Sequence, residues 1–257
     1  MKSMFNVSVN GLRAPVEFFK FSGGETQVKF ENPSISKEQN RVEIHAYIRD
    51  GEFLPLALLV DAIRRTMTTV SIKLVLPYLP YARQDRVMNS GESLAVKVYT
   101  NLINSLNFDQ VVVDDCHSDV GVALLNNVVN ENYLPIHFKT EDFDALVAPD
   151  AGALKKTFKH AKSLGITEVI RADKTRDVTT GNITGTVVHG DVKGKRLLIT
   201  DDICDHGDDL VELAAKLKLG GAKKISLYVT HGIFSKGKST LEDVFNSVEA
   251  KYDWTEF

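Results

Sequence analysis

The stretch KRLLITDDICDHGDDLVELAAKLKLGGAKKISLYVT, residues 195–230, contains one complete strand–helix–strand unit. The run Lys195–Asp202 predicts a buried strand, Asp209–Gly221 a helix that ends at Gly-Gly, and Lys224–Thr230 a second strand. The strand runs are apolar over several consecutive residues, so they favour parallel strands covered on both faces by helices. The unit therefore predicts an α/β fold.

The same alternation of short strands and amphipathic helices extends through the rest of the chain. The other predicted strands are Val42–Ile48, Ile72–Pro80, Gln110–Asp115, Ala145–Asp150 and Thr167–Asp173, and the other predicted helices are Leu54–Met67, Glu92–Leu106 and Ala151–Gly165. The order repeats in two halves that meet near residues 136–144. We therefore predict two domains, 1–138 and 139–257, each a mainly parallel sheet flanked by helices.

The composition excludes several classes of protein. Of 257 residues, 43% are hydrophobic and 25% charged, as in soluble globular proteins. The net charge of −3 argues against a nucleic-acid partner. No apolar run approaches the ~20 residues of a membrane span, and no signal-peptide pattern is present. Cys116 and Cys204 form no CxxC motif, so we expect a cytoplasmic protein with reduced thiols and no membrane association.

Polar clusters follow four of the predicted strands, where ligands bind in open α/β sheets. They are YARQDR (81–86), DDCHSD (114–119), APD (148–150) and TDDICDHGDD (200–209). In the first, the guanidinium groups of Arg83 and Arg86 are suited to holding a polyphosphate bidentately. A solvated turn with an Arg–Asp pair is the alternative interpretation.

The second and third clusters together suggest a magnesium site. His117 follows a strand among aspartates, which favours a hard cation, although a structural histidine is an alternative. With Asp150 from the other half of the chain, His117 could hold Mg²⁺ in the cleft between the domains. Lys174 and Arg176 follow another strand, and the rest of residues 171–191, rich in Thr and Gly, is typical of a mobile hairpin that could close over a phosphoryl group. An ordinary exposed loop remains the alternative.

The fourth cluster combines an anion site with acidic side chains. Asp201 and Asp202 end a strand and could accept hydrogen bonds from the vicinal hydroxyls of a ribose. A metal site or a helix N-cap is the rival interpretation, and Asp208 or Asp209 would cap the following helix. Backbone N–H groups at the start of that helix favour an anion.

Taken in order, these motifs resemble the ribose-phosphate pyrophosphokinases (PRPP synthetases). PYLPYARQDR and VTHGIFS are close to that family's sequence, and FSGGE (Phe21–Glu25) resembles its FSDGE. The resemblance covers nearly the whole chain and implies two phosphoribosyltransferase-like domains. It also implies transfer of the β,γ-diphosphate of Mg-ATP to the anomeric 1-hydroxyl of ribose 5-phosphate. Such chemistry depends on positioning and charge neutralisation.

The resemblance implies a role for each matching residue. Arg83, Gln84 and Arg86 would hold ATP, Phe21 and Glu25 would reach the adenine of a neighbouring subunit's ATP, His117 and Asp150 would position Mg²⁺, Lys174 and Arg176 would stabilise the transferring diphosphate, and Asp201, Asp202 and Asp205 would line the ribose. A shared adenine pocket implies a homo-oligomer built on dimers.

The sequence departs from the family pattern in three places. Gly23 replaces the acid of FSDGE, so adenine recognition is expected to differ in detail. The sequence after VTHGIFS is shorter than in the family, so we expect the hexamer and its allosteric control to differ. The family's phosphate loop, DTGGT, is DHGDD (Asp205–Asp209) here. In this loop His206, Gly207, Asp208 and Asp209 are assigned to acceptor binding.

The acidic loop leads to a hypothesis about the acceptor. Each lost hydrogen bond to a charged group is worth ~1.5–3 kcal/mol, and carboxylates repel a phosphate dianion. We therefore expect ADP-ribose, which has no terminal phosphate monoester, to be slightly favoured, giving ADP-ribose 1-pyrophosphate, a precursor for NAD salvage. The alternatives are ribose 5-phosphate, with the acidic loop turned away, or a catalytically silent associated subunit. A silent subunit would be expected to lose some of Lys174, Arg176, His117 and Asp150.

Overall fold

The computed structural model describes residues 4–31, 39–49, 52–176 and 183–256, with the backbone alone at 174–176 and 183–184. These residues form two compact units, the first ending at Asn132 and the second beginning at Tyr133. The domain boundary predicted after residue 138 lies a few residues farther along the chain and stays a prediction. In the part of the chain that is described, no helix is long and apolar enough to cross a bilayer.

The first unit contains a six-stranded sheet and a separate hairpin. Its strands are β1 (Phe5–Val9), β2 (Leu12–Ala14), β3 (Val16–Lys20), β4 (Thr26–Phe30), β5 (Asn40–Ala46), β6 (Val70–Leu76), β7 (Gln110–Asp114) and β8 (Val128–Glu131), and its helices are α1 (Phe53–Thr66), α2 (Ala95–Ser105) and α3 (Asp119–Leu124). The sheet order is β2-β1-β5-β6-β7-β8, parallel from β5 to β8, whereas β3 and β4 pair only with each other.

The second unit also has a six-stranded sheet. Its strands are β9 (Ala145–Ala148), β10 (Val169–Arg176), β11 (Ile183–His189), β12 (Arg196–Cys204), β13 (Lys224–Gly232) and β14 (Ser247–Asp253), and its helices are α4 (Leu154–Leu164), α5 (Asp208–Leu219) and α6 (Ser239–Glu242). The order is β11-β10-β9-β12-β13-β14, and β11 is its antiparallel strand. The predicted α/β class, with mainly parallel sheets flanked by helices, is confirmed.

Hydrophobic periodicity explains why the predicted helices form where they do. In α1 the buried side chains are Leu56, Leu59, Val60 and Ile63, the spacing of one helix face. The parallel strands β7 and β9 are buried over almost their whole length, as their unbroken apolar runs predict. Apolar faces of the helices and unbroken apolar strands thus form the cores of the two units.

Several elements lack a clear sequence signal. The hairpin β3–β4 and the edge strand β14 are mostly exposed or half-buried, so their sequences carry little apolar alternation. By contrast, β10 continues to Arg176 and β11 pairs back against it antiparallel, which fits the hairpin that the sequence predicts after Asp173.

The topology places the polar clusters at the carboxyl ends of neighbouring parallel strands. In the first unit, the turn of Arg83–Arg86 follows β6, and His117 follows β7, the parallel neighbour of β6. In the second, Asp150 follows β9, while Asp201 and Asp202 lie near the end of the adjacent β12. Each sheet thus gathers its own set of candidate side chains along one edge.

Leu74→Ala should destabilise the first unit, because Leu74 is 0% exposed in the centre of its core. Removing a fully buried leucine leaves a cavity and typically costs about 2–5 kcal/mol. The matched control is Leu54→Ala on α1, where the leucine is 60% exposed and the loss should be small. Urea denaturation followed by circular dichroism measures both. Equal midpoints for the two variants would contradict the assigned core.

Candidate active site

The turn after β6 carries the residues assigned to ATP. Arg86 donates from Nε to Asp85 Oδ1 over 2.8 Å and from a terminal nitrogen to Asp85 Oδ2 over 3.1 Å. The Arg86 side chain remains largely exposed, whereas that of Asp85 is nearly buried. Arg83 and Gln84 are exposed in the same turn, whose shape is fixed by a hydrogen bond from Gln84 N–H to Tyr81 O. The turn therefore offers cationic and amide donors on a constrained backbone.

Asp85 connects this turn to the loop after β7. Hydrogen bonds from Arg86 and from Ser118, together with the nearby His117, lower the pKa of the Asp85 carboxyl to about 2. His117 itself is exposed, while Asp114 and Asp115 behind it are buried. The two clusters predicted separately from the sequence thus adjoin in the first unit. Their arrangement suits the binding of an anion through Arg86 beside the imidazole.

The hairpin tip carries the residues assigned to adenine recognition. Phe21 N–H donates to Glu25 O, and Gly24 N–H donates to Phe21 O, both over 2.9 Å. This tight turn leaves the Phe21 ring and the Glu25 carboxylate exposed. The Phe21 ring meets Phe19 edge-on at a centroid distance of 5.4 Å, so one aromatic face remains presented to solvent. The role of the pair at a neighbouring subunit stays a prediction.

In the second unit, Asp201 and Asp202 lie near the end of β12 with their side chains 16% and 13% exposed. The Asp202 N–H donates to Asp201 Oδ1 over 2.9 Å. Burial, and then the neighbouring Asp202, raise the pKa of Asp201 well above its ordinary value, while Lys156 opposes the rise. The pair is therefore a set of acceptors from which water is largely excluded.

Asp150 belongs to the same edge of the second unit. Its Oδ1 accepts a hydrogen bond from Ala153 N–H over 3.0 Å at the start of α4, and its charge contributes to the raised pKa of Asp201. His117 belongs to the first unit, so the pairing of the two around Mg²⁺ stays a prediction. Among the residues whose side chains are described, no group of three or more His, Cys, Asp or Glu is arranged to hold a metal.

The loop from Cys204 to Asp208 connects β12 to α5. Gly207 has a φ of 81°, a left-handed conformation that glycine adopts without strain, and it precedes the first turn of α5. A Cβ there would lie 3.0 Å from Leu241 Cδ2 and 3.3 Å from Cys204 Sγ. Asp205 Oδ1 accepts from Ser235 Oγ over 2.6 Å, and His206 is exposed. Glycine at position 207 thus lets the loop turn into α5 close to Leu241, where a larger residue would be strained.

The acidic residues of this loop have partners that the sequence does not indicate. Lys236 Nζ lies 2.7 Å from Asp208 Oδ2, with both side chains largely exposed. Asp208 and Asp209 occupy the first turn of α5, where a negative charge is favoured by the helix dipole. Part of the negative charge of the loop is therefore offset within the protein.

Lys174 and Arg176 lie in β10, opposite Thr186 and Ile183 of β11. Their side chains fall outside the described part of the structure, so their catalytic role stays a prediction. Residues that the sequence argument missed are Lys156, Ser235 and Lys236. Lys236 follows the carboxyl end of β13, so the rule that identified the four clusters could have found it too. Lys156 lies within a helix, and its position near the site follows only from its contact with Asp202 in the folded structure.

The pH dependence of stability should show the contribution of Asp85. Its folded pKa of about 2 is below the ordinary 3.8, so its stabilisation is present above about pH 4 and is lost as the pH falls through 2. The difference in free energy of unfolding between the wild type and Asp85→Asn should therefore shrink between pH 5 and pH 2. Urea denaturation at several pH values measures it.

The control for this experiment is Asp61→Asn, which removes an exposed pair with Arg65. Exposed pairs contribute only about 0–1 kcal/mol, so its effect should be small at every pH. A constant difference for Asp85→Asn over the same range would contradict the assigned contacts.

Comparison with known proteins supplies the context for this geometry. Residues 7–106 match the family described as the N-terminal domain of ribose phosphate pyrophosphokinase, and residues 124–257 match the phosphoribosyl transferase domain. A ribose-phosphate pyrophosphokinase of Pyrococcus furiosus is 32% identical over 229 residues, covering 86% of this chain and 79% of that protein. One from Thermococcus kodakarensis is 33% identical over 239 residues, covering 91% and 82%.

A solved structure is similar as well. The crystal structure of phosphoribosylpyrophosphate synthetase from Mycobacterium smegmatis superposes with a TM-score of 0.72 at 25% identity. The match covers 90% of this chain and 78% of that one. The similarity to this one structure therefore extends over most of both units.

Proposed function

The chain belongs to the ribose-phosphate pyrophosphokinase family and is an enzyme of that type, and from this premise we propose that its acceptor is ribose 5-phosphate. The anomeric 1-hydroxyl attacks the β-phosphorus of ATP, the bond between the α,β-bridging oxygen and that phosphorus breaks, and AMP leaves. The hydroxyl proton is released, and the product is ribose 5-phosphate 1-diphosphate. The observation that supports this proposal most is the loop after β12, in which the start of α5 follows shortly after the partly buried carboxylates Asp201 and Asp202. Backbone N–H groups at a helix start favour an anion.

The sequence-based preference for ADP-ribose, and with it a place in NAD salvage, is not supported. The similar proteins are named as ribose-phosphate pyrophosphokinases. The loop is less acidic than its sequence indicates, because Lys236 lies within ion-pair distance of the Asp208 carboxylate. A phosphate at the start of α5 would therefore meet a partly neutralised loop. The alternative of a silent subunit has no support either, because these relatives are named as enzymes.

On the acceptor side, each polar group has a proposed role. Asp201 and Asp202 accept hydrogen bonds from the two vicinal ribose hydroxyls, with Asp205 beside them. Gly207 lets the backbone approach the 5-phosphate, and the N–H groups that open α5 donate to it. His206 is exposed at the loop and is available as a further donor.

On the nucleotide side, Arg83, Gln84 and Arg86 hold the polyphosphate. Arg86 is already oriented by two hydrogen bonds to Asp85, which reduces the conformational entropy lost when ATP binds. Phe21 and Glu25 contact the adenine of a neighbouring subunit, so the active form is a homo-oligomer built on dimers. Lys174 and Arg176 stabilise the negative charge of the transferring diphosphate.

Magnesium fits the donor chemistry of the residues assigned to it. Asp150 offers a carboxylate oxygen at a strand end that already concentrates negative charge, and His117 offers an exposed imidazole nitrogen. Bound together with ATP, Mg²⁺ would supply neutralisation of the phosphate charge.

The acceptor is tested by incubating the protein with Mg-ATP and either ribose 5-phosphate or ADP-ribose, and measuring AMP by chromatography. AMP should form rapidly with ribose 5-phosphate and at background rate with ADP-ribose. Faster turnover of ADP-ribose would overturn the proposed acceptor. Lys174→Ala serves as the inactive control, since loss of its charge should reduce AMP formation steeply. An unchanged rate in that variant would show that the catalytic assignment is wrong.

Lys236→Ala should raise the KM for ribose 5-phosphate, because Asp208 would then repel the phosphate. For an exposed pair the effect is about 1 kcal/mol, or roughly fivefold. Lys216→Ala, an equal change of charge in the last turn of α5, should leave this KM unaltered. Combining Lys236→Ala with Asp208→Asn should restore it. If Lys236→Ala and Lys216→Ala had the same KM, Lys236 would have no part in acceptor binding.

A further inference from the structure

Lys156 of α4 lies beside the two acceptor carboxylates. Its Nζ is 3.2 Å from Asp202 Oδ1 and 3.9 Å from Asp201 Oδ1. Only 14% of the lysine side chain is exposed, comparable to the exposure of the carboxylates themselves. The ammonium group and both carboxylates are therefore largely shielded from water, unlike the partners of a surface ion pair.

The attachment of α4 to the sheet does not depend on this lysine. Ala161 and Leu164 on the same helix are buried in a cluster with Leu198 of β12. Thr157, next to Lys156 in sequence, also lies 3.4 Å from Thr200 of β12 through their hydroxyl oxygens. Apolar packing and a hydrogen bond therefore already hold the helix against the strand.

What Lys156 supplies is charge. Asp201 and Asp202 are consecutive, partly buried and close to Asp150, so their ionised forms repel one another. A carboxylate that takes up a proton, or rotates away from its neighbour, loses capacity to accept hydrogen bonds from a diol. The groups that act on Asp201 come from three elements: Asp202 on β12, Lys156 on α4 and Asp150 in the loop after β9. Of these, Lys156 carries the opposing charge.

We propose that Lys156 is a positioning residue for the acceptor: it fixes the Asp202 carboxylate and offsets the charge of the pair, so that both aspartates accept hydrogen bonds from vicinal ribose hydroxyls. The inference rests on the proposed role of the pair as the ribose site. It extends that role to a residue that does not itself touch the substrate. Its effect should appear in acceptor affinity and not in nucleotide affinity.

The test measures binding separately from turnover. Isothermal titration calorimetry follows ribose 5-phosphate binding in the presence of Mg²⁺ and α,β-methylene-ATP, which cannot donate its diphosphate. Lys156→Met should weaken this binding about tenfold, the scale of a lost charge-assisted hydrogen bond network. Lys156→Gln, which keeps a polar side chain without the charge, should weaken it similarly. Lys156→Arg should restore most of the affinity, and binding of α,β-methylene-ATP should be unchanged throughout.

Lys155→Met is the matched control, because Lys155 is the exposed neighbour on the same helix. Wild-type affinity for ribose 5-phosphate in the folded Lys156→Met or Lys156→Gln variant would overturn the proposal, as would equal weakening in Lys155→Met. AMP formation is measured on the same wild-type sample. If ribose 5-phosphate binds without AMP being formed, the proposed function fails while the role of Lys156 is still decided by calorimetry. If ribose 5-phosphate does not bind the wild type, both fail.

Discussion

The proposed acceptor site depends on two adjacent carboxylates, Asp201 and Asp202, that are partly buried near the end of β12. Burial makes Asp201 and Asp202 strong, directed acceptors, but it also raises the cost of their charge. Two nearby groups offset that cost. Lys156 Nζ on α4 lies 3.2 Å from Asp202 Oδ1, and the Asp202 N–H donates a hydrogen bond to Asp201 Oδ1. The parallel sheet brings Lys156 close to the pair, because α4 begins after the carboxyl end of β9, the strand next to β12. The start of α5 follows shortly after the pair in the chain, and a helix N-terminus favours an anion.

In the proposed nucleotide site, after β6, the charges are reversed: the binding groups are cations and the residue that orients them is an acid. There the exposed cations are the groups proposed to bind ATP, and a nearly buried Asp85 orients Arg86 and receives a hydrogen bond from Ser118. One acid thereby joins the turn after β6 to the loop after β7. In each unit, a residue of opposite charge to the binding groups is what gives them their geometry.

Sequence alone predicted the parallel strands and long helices, because their apolar runs reflect burial on both faces. It did not reveal the exposed hairpin β3–β4, the edge strand β14 or the short α3, whose residues have little periodicity. It located the candidate side chains at strand ends but missed their partners. Lys156–Asp202 and Lys236–Asp208 join residues far apart in the chain, and only the fold brings them together. The expectation of ADP-ribose as acceptor depends on the acidity of Asp208 and Asp209, and Lys236 offsets part of that charge.

The central claim is that the diphosphate of ATP moves as one unit to the anomeric oxygen of ribose 5-phosphate. Phosphorus NMR of a mixture with Mg-ATP tests it most directly, because it identifies every phosphorus-containing product. The account predicts AMP and a new diphosphate attached at C1 of the sugar in equal amounts, with the 5-phosphate retained. Formation of ADP together with a sugar monophosphate at C1, or of AMP and free diphosphate without a C1 product, would contradict it.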